Sequence, residues 1–235
     1  MMLLYYDKLE LSTNHSLLKS EVYIMKIAIF GASGGIGKFV VKHALNKGYE
    51  VVAYVRNPSK LKLSDKNLTI ITGELNDYEC IEKAITGCDA VISALGVPMK
   101  FTYESMDSLE GHINIIKAMK GLGISRLIDW ATPSVHYPKD SRSFITIIPG
   151  IMAGFVFPKA KKEIIAITDA IQSANLEWTI VRFMAPKDTS YTGNVKVGFG
   201  DTKMSFNISR EDIGAFMVKQ VESLEYMQSM PIIGS

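Results

Sequence analysis

KIAIFGASGGIGKFVVKHAL, Lys26–Leu45, is the stretch that decides the fold. It opens on a short apolar run that reads as a buried strand. From Gly35 to Asn46 the apolar positions recur at helical spacing. Between the two, the glycines read Gly31-x-x-Gly34-x-x-Gly37, with Gly35 as an extra, rather than G-x-G-x-x-G. Gly31 must turn the chain sharply at the end of the strand. Gly34 lets backbone approach a pyrophosphate without a Cβ in the way, and Gly37 lets the helix pack close to the strand. The free N–H groups and the dipole at the helix start then favour an anion. Gly31, Ser33, Gly34, Gly35, Ile36 and Gly37 are therefore candidate cofactor contacts; the alternative is a tight strand-to-helix turn without a ligand.

Outward from this turn, short apolar runs alternate with helical patterns. EVVAYV, LTIIT, DAVISAL, ISRLIDWAT and LEWTIVRF read as strands, with MPIIG as a possible last one. Helices are expected through YECIEKAIT, SMDSLEGHINIIKAMKGLG, Lys159–Ala174 and SREDIGAFMVKQVES. Continuous β-branched strands in alternation with helices predict a doubly wound, mostly parallel α/β sheet of the Rossmann type. The 235 residues suit one domain. The expected division is an N-terminal extension over 1–24 and a dinucleotide-binding domain over 25–235, with a small substrate-side region toward the C-terminus. The first 24 residues have no basic start, sustained apolar run or small-residue cleavage site, so they do not read as a secretory signal.

With 47% apolar residues the chain can bury a large core, and its net charge of +2 argues against nucleic acid as the main partner. Cys80 and Cys88 form no metal-binding pattern and read as free thiols of a reducing cytosol, so a cytoplasmic location is expected. The run FITIIPGIMAGFVF, 144–157, is too short to span a bilayer and is interrupted by Pro149, Gly150 and Gly154. It lies on the substrate side, where a lid, buried core and a homodimer contact are equally open readings.

The second strand ends in VVAYVRNPSK without the carboxylate that would bind the ribose hydroxyls of NAD. Arg56, next to Asn57 and with Lys60 nearby, suits the 2′-phosphate of NADP, since a guanidinium donates two hydrogen bonds at once. NADP(H) is therefore expected over NAD(H); the alternative is a solvated arginine.

The ordered set GASGGIG, VRNPSK, TGELND, GCDAVISALG, LEWTIVR and ISREDIGAF resembles the atypical short-chain dehydrogenases/reductases of the NmrA-like, NAD(P)H-binding kind. The resemblance covers nearly all of Met25–Ser235 and implies about seven strands, with the cofactor across their carboxyl ends. It implies that Leu75 and Asp77 line the adenine side. Ala94, Leu95 and Gly96 would pass under the ribose and pyrophosphate, with Thr132 and Met184 near the nicotinamide. Phe183 stands where relatives carry proline.

The larger family's proton relay, a tyrosine with lysine four residues on, is missing at every one of the ten tyrosines. Aligned back from Arg182, Lys161 and Ile165 occupy the two slots. Substitute donors are Thr132, His136 and Tyr137; His136 reads equally as a surface loop residue. His43 and His112, inside helix patterns, read as structural, and Trp130 and Trp178 as core. Lys159, Lys161 and Lys162 could bind an acidic substrate or be a solvated helix start. Two functions follow: an NADPH-dependent oxidoreductase of a small molecule, as in relatives such as biliverdin and flavin reductases, or a non-catalytic NADP(H) sensor.

Overall fold

The structure, a computed structural model, describes residues 23–141 and 143–235. The expectation for 1–24 therefore falls almost wholly outside the described residues. The chain runs β1 (Lys26–Phe30), α1 (Gly37–Asn46), β2 (Glu50–Val55), β3 (Leu68–Thr72), α2 (Tyr78–Ile85), β4 (Ala90–Ser93), α3 (Asp107–Leu122) and β5 (Arg126–Ala131). It continues through α4 (Phe144–Val156), α5 (Pro158–Gln172), β6 (Glu177–Arg182), β7 (Pro186–Lys187), β8 (Lys196–Gly198), β9 (Ile208–Ser209), α6 (Arg210–Lys219) and β10 (Ile232–Gly234). A single-turn 3-10 helix, Pro58–Lys60, follows β2.

The main sheet has the order β3-β2-β1-β4-β5-β6-β10-β8. Seven of its eight strands are parallel, and β8 closes the edge antiparallel to β10. The chain winds outward from β1 in both directions, so the switch point lies between β1 and β4, where Phe30 pairs with Ser93. Crevices outside the carboxyl ends of strands at such a point are where open α/β sheets take ligands. A short parallel pair, β7 with β9, stands apart.

Each face of the sheet is covered. Ile27, Ile29, Val51 and Ala53 point to the side of α1 and α6, where Val40, Val41, Ile213 and Met217 are buried. Ala28, Phe30, Val52 and Tyr54 point to the side of α2, α3 and α5, against Ile81, Ile115 and Met119. This alternation along strands buried on both faces is the source of the continuous apolar runs in the sequence. Trp178 is core, as expected, and Trp130 is partly buried and stacked on Phe183. Cys88 is buried, which pushes its thiol up to about 11.

The segment 144–157 is mostly helix. Ile147, Ile148, Ile151, Met152, Phe155 and Val156 of α4 are exposed, which removes the buried-core reading. Pro149, Gly150 and Gly154 argue against a helix by propensity, and a segment apolar on every side has no period to read.

The turn from β1 to α1 is set by contact. Gly31 has φ +71°, and a Cβ there would lie 2.6 Å from the carbonyl oxygen of Ala94. A Cβ on Gly37 would lie 2.0 Å from the carbonyl oxygen of Gly31, so α1 can sit this close only with glycine there. Gly37→Ala is expected to cost about 1–3 kcal/mol, as overpacking against backbone does. Gly121→Ala, in the exposed α3 surface with nothing nearer than 4.0 Å, is expected to stabilise, by about 0.5–1 kcal/mol. Thermal unfolding of the two variants should therefore shift in opposite directions.

Candidate functional site

A cleft of about 540 Å³ opens at the switch point. Gly31, Ser33 and Gly34 from the glycine turn line it, with Arg56, Asn57 and Leu75 opposite. Ala94, Leu95 and Gly96, after β4, form its floor. Nine expected cofactor contacts are thus brought together from four separate stretches of chain.

The glycine turn is built to accept an anion. Gly34 N donates to Gly31 O at 2.9 Å, which closes the turn. The N–H groups of Ser33, Gly35 and Ile36 have no backbone acceptor among the described residues. α1 has no side-chain cap and no acidic residue in its first turn. Donors left open at a helix start beside a cleft are what a phosphate group takes. Gly34 is exposed, and a Cβ on it would meet only Gly31 O, at 3.0 Å. The residues present therefore fit a dinucleotide's pyrophosphate.

Other expected contacts fall outside this cleft. Gly37 lies under the turn and packs it. Ile36 is partly buried and packs against the core on the α1 side. A Cβ on Gly35 would lie 3.2 Å from Nε of Arg210, so the guanidinium at the start of α6 reaches over the glycine turn. Arg210 also pairs with Asp188 at 2.8 Å. The sequence reading missed it, because one arginine in a helix's first turn reads as solvated. Asp77 caps α2, accepting from Cys80 N at 3.0 Å, and does not line the cleft. Thr132 and Met184 follow β5 and β6, the neighbouring strand ends. Trp130 joins these ends to the floor: Nε1 donates to Leu95 O at 2.7 Å while the ring stacks on Phe183 at 5.3 Å.

Cleft residues not foreseen include Tyr54, Glu74, Asp107 and Ser108. Tyr54 donates to Glu74 O at 2.8 Å, and burial raises its pKa, so the phenol remains a donor. Glu74 and Asp107 bring two carboxylates into the cleft that also holds Arg56 and Lys60. The end of β2 carries no carboxylate, but acidic groups from β3 and α3 approach instead. Arg56 itself is exposed and has no ion-pair partner among the described residues.

The proposed proton donors are placed unequally. Thr132 and Ser134 share a hydrogen bond between their hydroxyls. His136 is exposed. Tyr137 is 6% exposed, packs on Phe199 and donates to Gln228 O at 3.2 Å, so its hydroxyl is engaged on the core side. The loop that carries them is fixed by Arg182. That side chain is fully buried and forked onto Asp140, with Nη1 at 2.7 Å from Oδ2, and it donates to Val135 O. Lys159 is tied to the carbonyls of Tyr103 and Glu104.

A family model described as NAD(P)H-binding matches residues 31–223. The chain is 31% identical over 218 residues to isoeugenol synthase 1 of Clarkia breweri, covering 83% of this chain and 62% of that protein. It is 29% identical over 153 residues to the 2-alkyl-3-oxoalkanoate reductase of Shewanella oneidensis, covering 63% and 39%. It is 26% identical over 217 residues to an isoflavone reductase homolog of Solanum tuberosum, covering 84% and 64%. The chain thus spans from about a third to just under two thirds of the curated relatives it matches. Among solved structures, a short-chain dehydrogenase/reductase of Veillonella parvula in complex with NADP superposes with a TM-score of 0.73 at 16% identity, covering 91% of this chain and 95% of that one. The anaerobilin reductase ChuY of Escherichia coli O157:H7 gives 0.70 at 21% identity, covering 89% and 97%. These two likenesses concern the fold. Among the described residues no helix is long and apolar enough to cross a membrane.

Gly34→Val would place methyl groups over the open amides of the turn. Cofactor affinity is expected to fall at least a hundredfold, while circular dichroism keeps its native form and stability drops by about 1 kcal/mol for the tight contact with Gly31 O. Unchanged affinity would mean that the turn binds nothing.

Proposed function

From the premise that the chain belongs to the NAD(P)H-binding family of atypical short-chain dehydrogenases/reductases, we propose that it is an NADPH-dependent oxidoreductase of a small molecule. The observation that carries the reading is the cleft at the switch point, where open amides, a bare glycine and a free arginine face one space. Reductases among the relatives, with different substrates in their names, support a reducing role without fixing the substrate.

When bound, the cofactor supplies a hydride from its nicotinamide ring. The chain supplies position. The glycine turn and Arg210 hold the phosphates, and the 94–96 turn bears the adjoining ribose. Trp130 and Phe183 give the strand ends a stacked, rigid backing for the ring. The proton that accompanies the hydride comes from solvent or from the Thr132–Ser134 hydroxyl pair. Among the substitute donors Tyr137 has its hydroxyl bonded elsewhere, and Ile165, in the relay's lysine slot, packs on the core. The missing relay also favours the second reading, a sensor that binds NADP(H) without turnover. NADPH mixed with flavins, quinones and aldehydes separates the two, since only the oxidoreductase consumes it steadily.

Arg56 carries the preference for NADP(H). Its charge-assisted hydrogen bonds to a 2′-phosphate are worth about 1.5–3 kcal/mol each, more than the repulsion expected from exposed carboxylates across an open cleft. Calorimetry on Arg56→Ala is expected to show NADP(H) affinity lowered by at least tenfold, with NAD(H) affinity changed less than threefold. Equal affinity of the native protein for the two cofactors would contradict the assignment.

A further inference from the structure

Behind the floor of the cleft lies a buried charge cluster around His112, a residue that the sequence alone reads as structural. His112, on α3, is 2% exposed, and Asp129, on β5, is 1% exposed. Their Nε2 and Oδ2 atoms are 3.2 Å apart. Nδ1 of His112 lies 2.6 Å from the carbonyl oxygen of Ser108, and Nε2 lies 2.8 Å from Oγ of Ser93. Neither oxygen of Asp129 has a hydrogen-bond partner of good geometry. The space beside them, walled by Leu95, Val97, Trp130, Ile164 and Ile167, is about 10 Å³. That is too small to hydrate a carboxylate, which needs several waters.

The protonation of this pair follows from donor and acceptor chemistry. A carbonyl only accepts, so Nδ1 carries a hydrogen. If Nε2 were bare, the Ser93 hydroxyl could donate to it, but the ionised Asp129 carboxylate 3.2 Å away would be left without any donor. A buried carboxylate left in that state costs several kcal/mol. The pair therefore holds one proton more than a neutral imidazole and a carboxylate. Other charges near it act in the same direction. Glu163 on α5 is fully buried, accepts from Leu109 N at 3.0 Å and from the Tyr103 hydroxyl, and favours the imidazolium. Lys159, on the same helix as Glu163, is spent on the Tyr103 and Glu104 carbonyls. Burial by itself lowers the pKa of His112, and the charge of Asp129, with Ser108 O and Glu163, reverses this, leaving it above the ordinary histidine value.

Both serine partners of the imidazole lie in or next to the cleft. Ser108, in the first turn of α3, lines it, and its own hydroxyl is buried without a partner. Ser93 immediately precedes the floor residues Ala94, Leu95 and Gly96. We propose that His112 and Asp129 are positioning residues that hold the α3 wall and the β4 floor of the cleft through a retained proton, so that cofactor binding is proton-linked. This rests on the cleft being the NAD(P)H site. Losing the proton would leave the Asp129 carboxylate buried with no donor behind the floor. It would also add a negative charge behind a site for a polyanion.

The sign follows. His112 is raised, so its contribution is full at low pH and fades as pH rises through its folded value. The test is calorimetric titration of the full chain with NADPH and, separately, NADH between pH 6.5 and 9.5, in two buffers of different ionisation enthalpy. Both cofactors are expected to weaken by about tenfold across the range, roughly one unit of pKa coupling, with uptake peaking at about half a proton. NADH lacks the 2′-phosphate, so that group cannot be the source of the linkage. Asp129→Asn keeps the shape and lets an amide donate to a neutral imidazole, so its affinity should be flat with pH. A residue that only fills space would shift the affinity of that variant and leave the pH slope intact. Tight binding by the native protein with no proton uptake overturns the proposal even if the variant fails to fold, as does an equal slope in Asp129→Asn. If neither cofactor binds at any pH, the cleft assignment itself fails.

Discussion

Three pieces of backbone meet at one point above the sheet, and no side chain fits between them. The end of β1, the start of α1 and the turn after β4 converge where Gly31 O lies 2.0 Å from where a Cβ of Gly37 would be. A Cβ on Gly31 would in turn reach within 2.6 Å of Ala94 O. This convergence sets α1 down on the sheet with its first amides uncovered, and brings the β4 floor under them. The position of the cleft, the open donors and the approach of Arg56 and Arg210 all depend on it.

Buried charge does the corresponding work farther along the strand ends. Arg182, inside the sheet at the end of β6, binds Asp140, Val135 O and Met230 O, and so fixes the loop after β5. Arg126, at the other end of β5, donates to Glu177 O and to the hydroxyl of Thr179. His112 and Asp129 join α3 to β5 behind the floor. Buried charges of this kind are expensive unless fully partnered. Arg182 and Arg126 are well partnered, and Asp129 is not, which marks it out for a role beyond packing.

Much of this was legible from Lys26–Leu45 and the strand runs that follow. Strands buried on both faces show as continuous apolar segments, and glycine spacing reports steric closeness directly. The place of Arg56 in the cleft was legible because it directly follows the second strand, whose end faces the ligand in sheets of this kind. α4 was not, because an almost wholly apolar helix with proline and glycine has no period. The capping role of Asp77 was not legible, because a carboxylate after β3 can cap a helix as readily as line a cleft. Tyr137 looked available beside Thr132, and only the fold shows its hydroxyl reaching Gln228. Arg210, Asp107 and Ser108 come from helix starts distant in sequence, and their convergence is a property of the winding. Two-residue strands such as β7 and β9 are below what any pattern resolves.

The most direct test of the account is a crystal structure of the chain grown with NADPH. The pyrophosphate is expected against the amides of Ser33, Gly35 and Ile36, with the 2′-phosphate within hydrogen-bond distance of Arg56. The nicotinamide is expected beyond Leu95, toward Thr132 and Met184. A cofactor bound elsewhere, such as the separate cleft lined by Tyr191, Phe216 and Tyr226, or a glycine turn left bare at saturating NADPH, would contradict it.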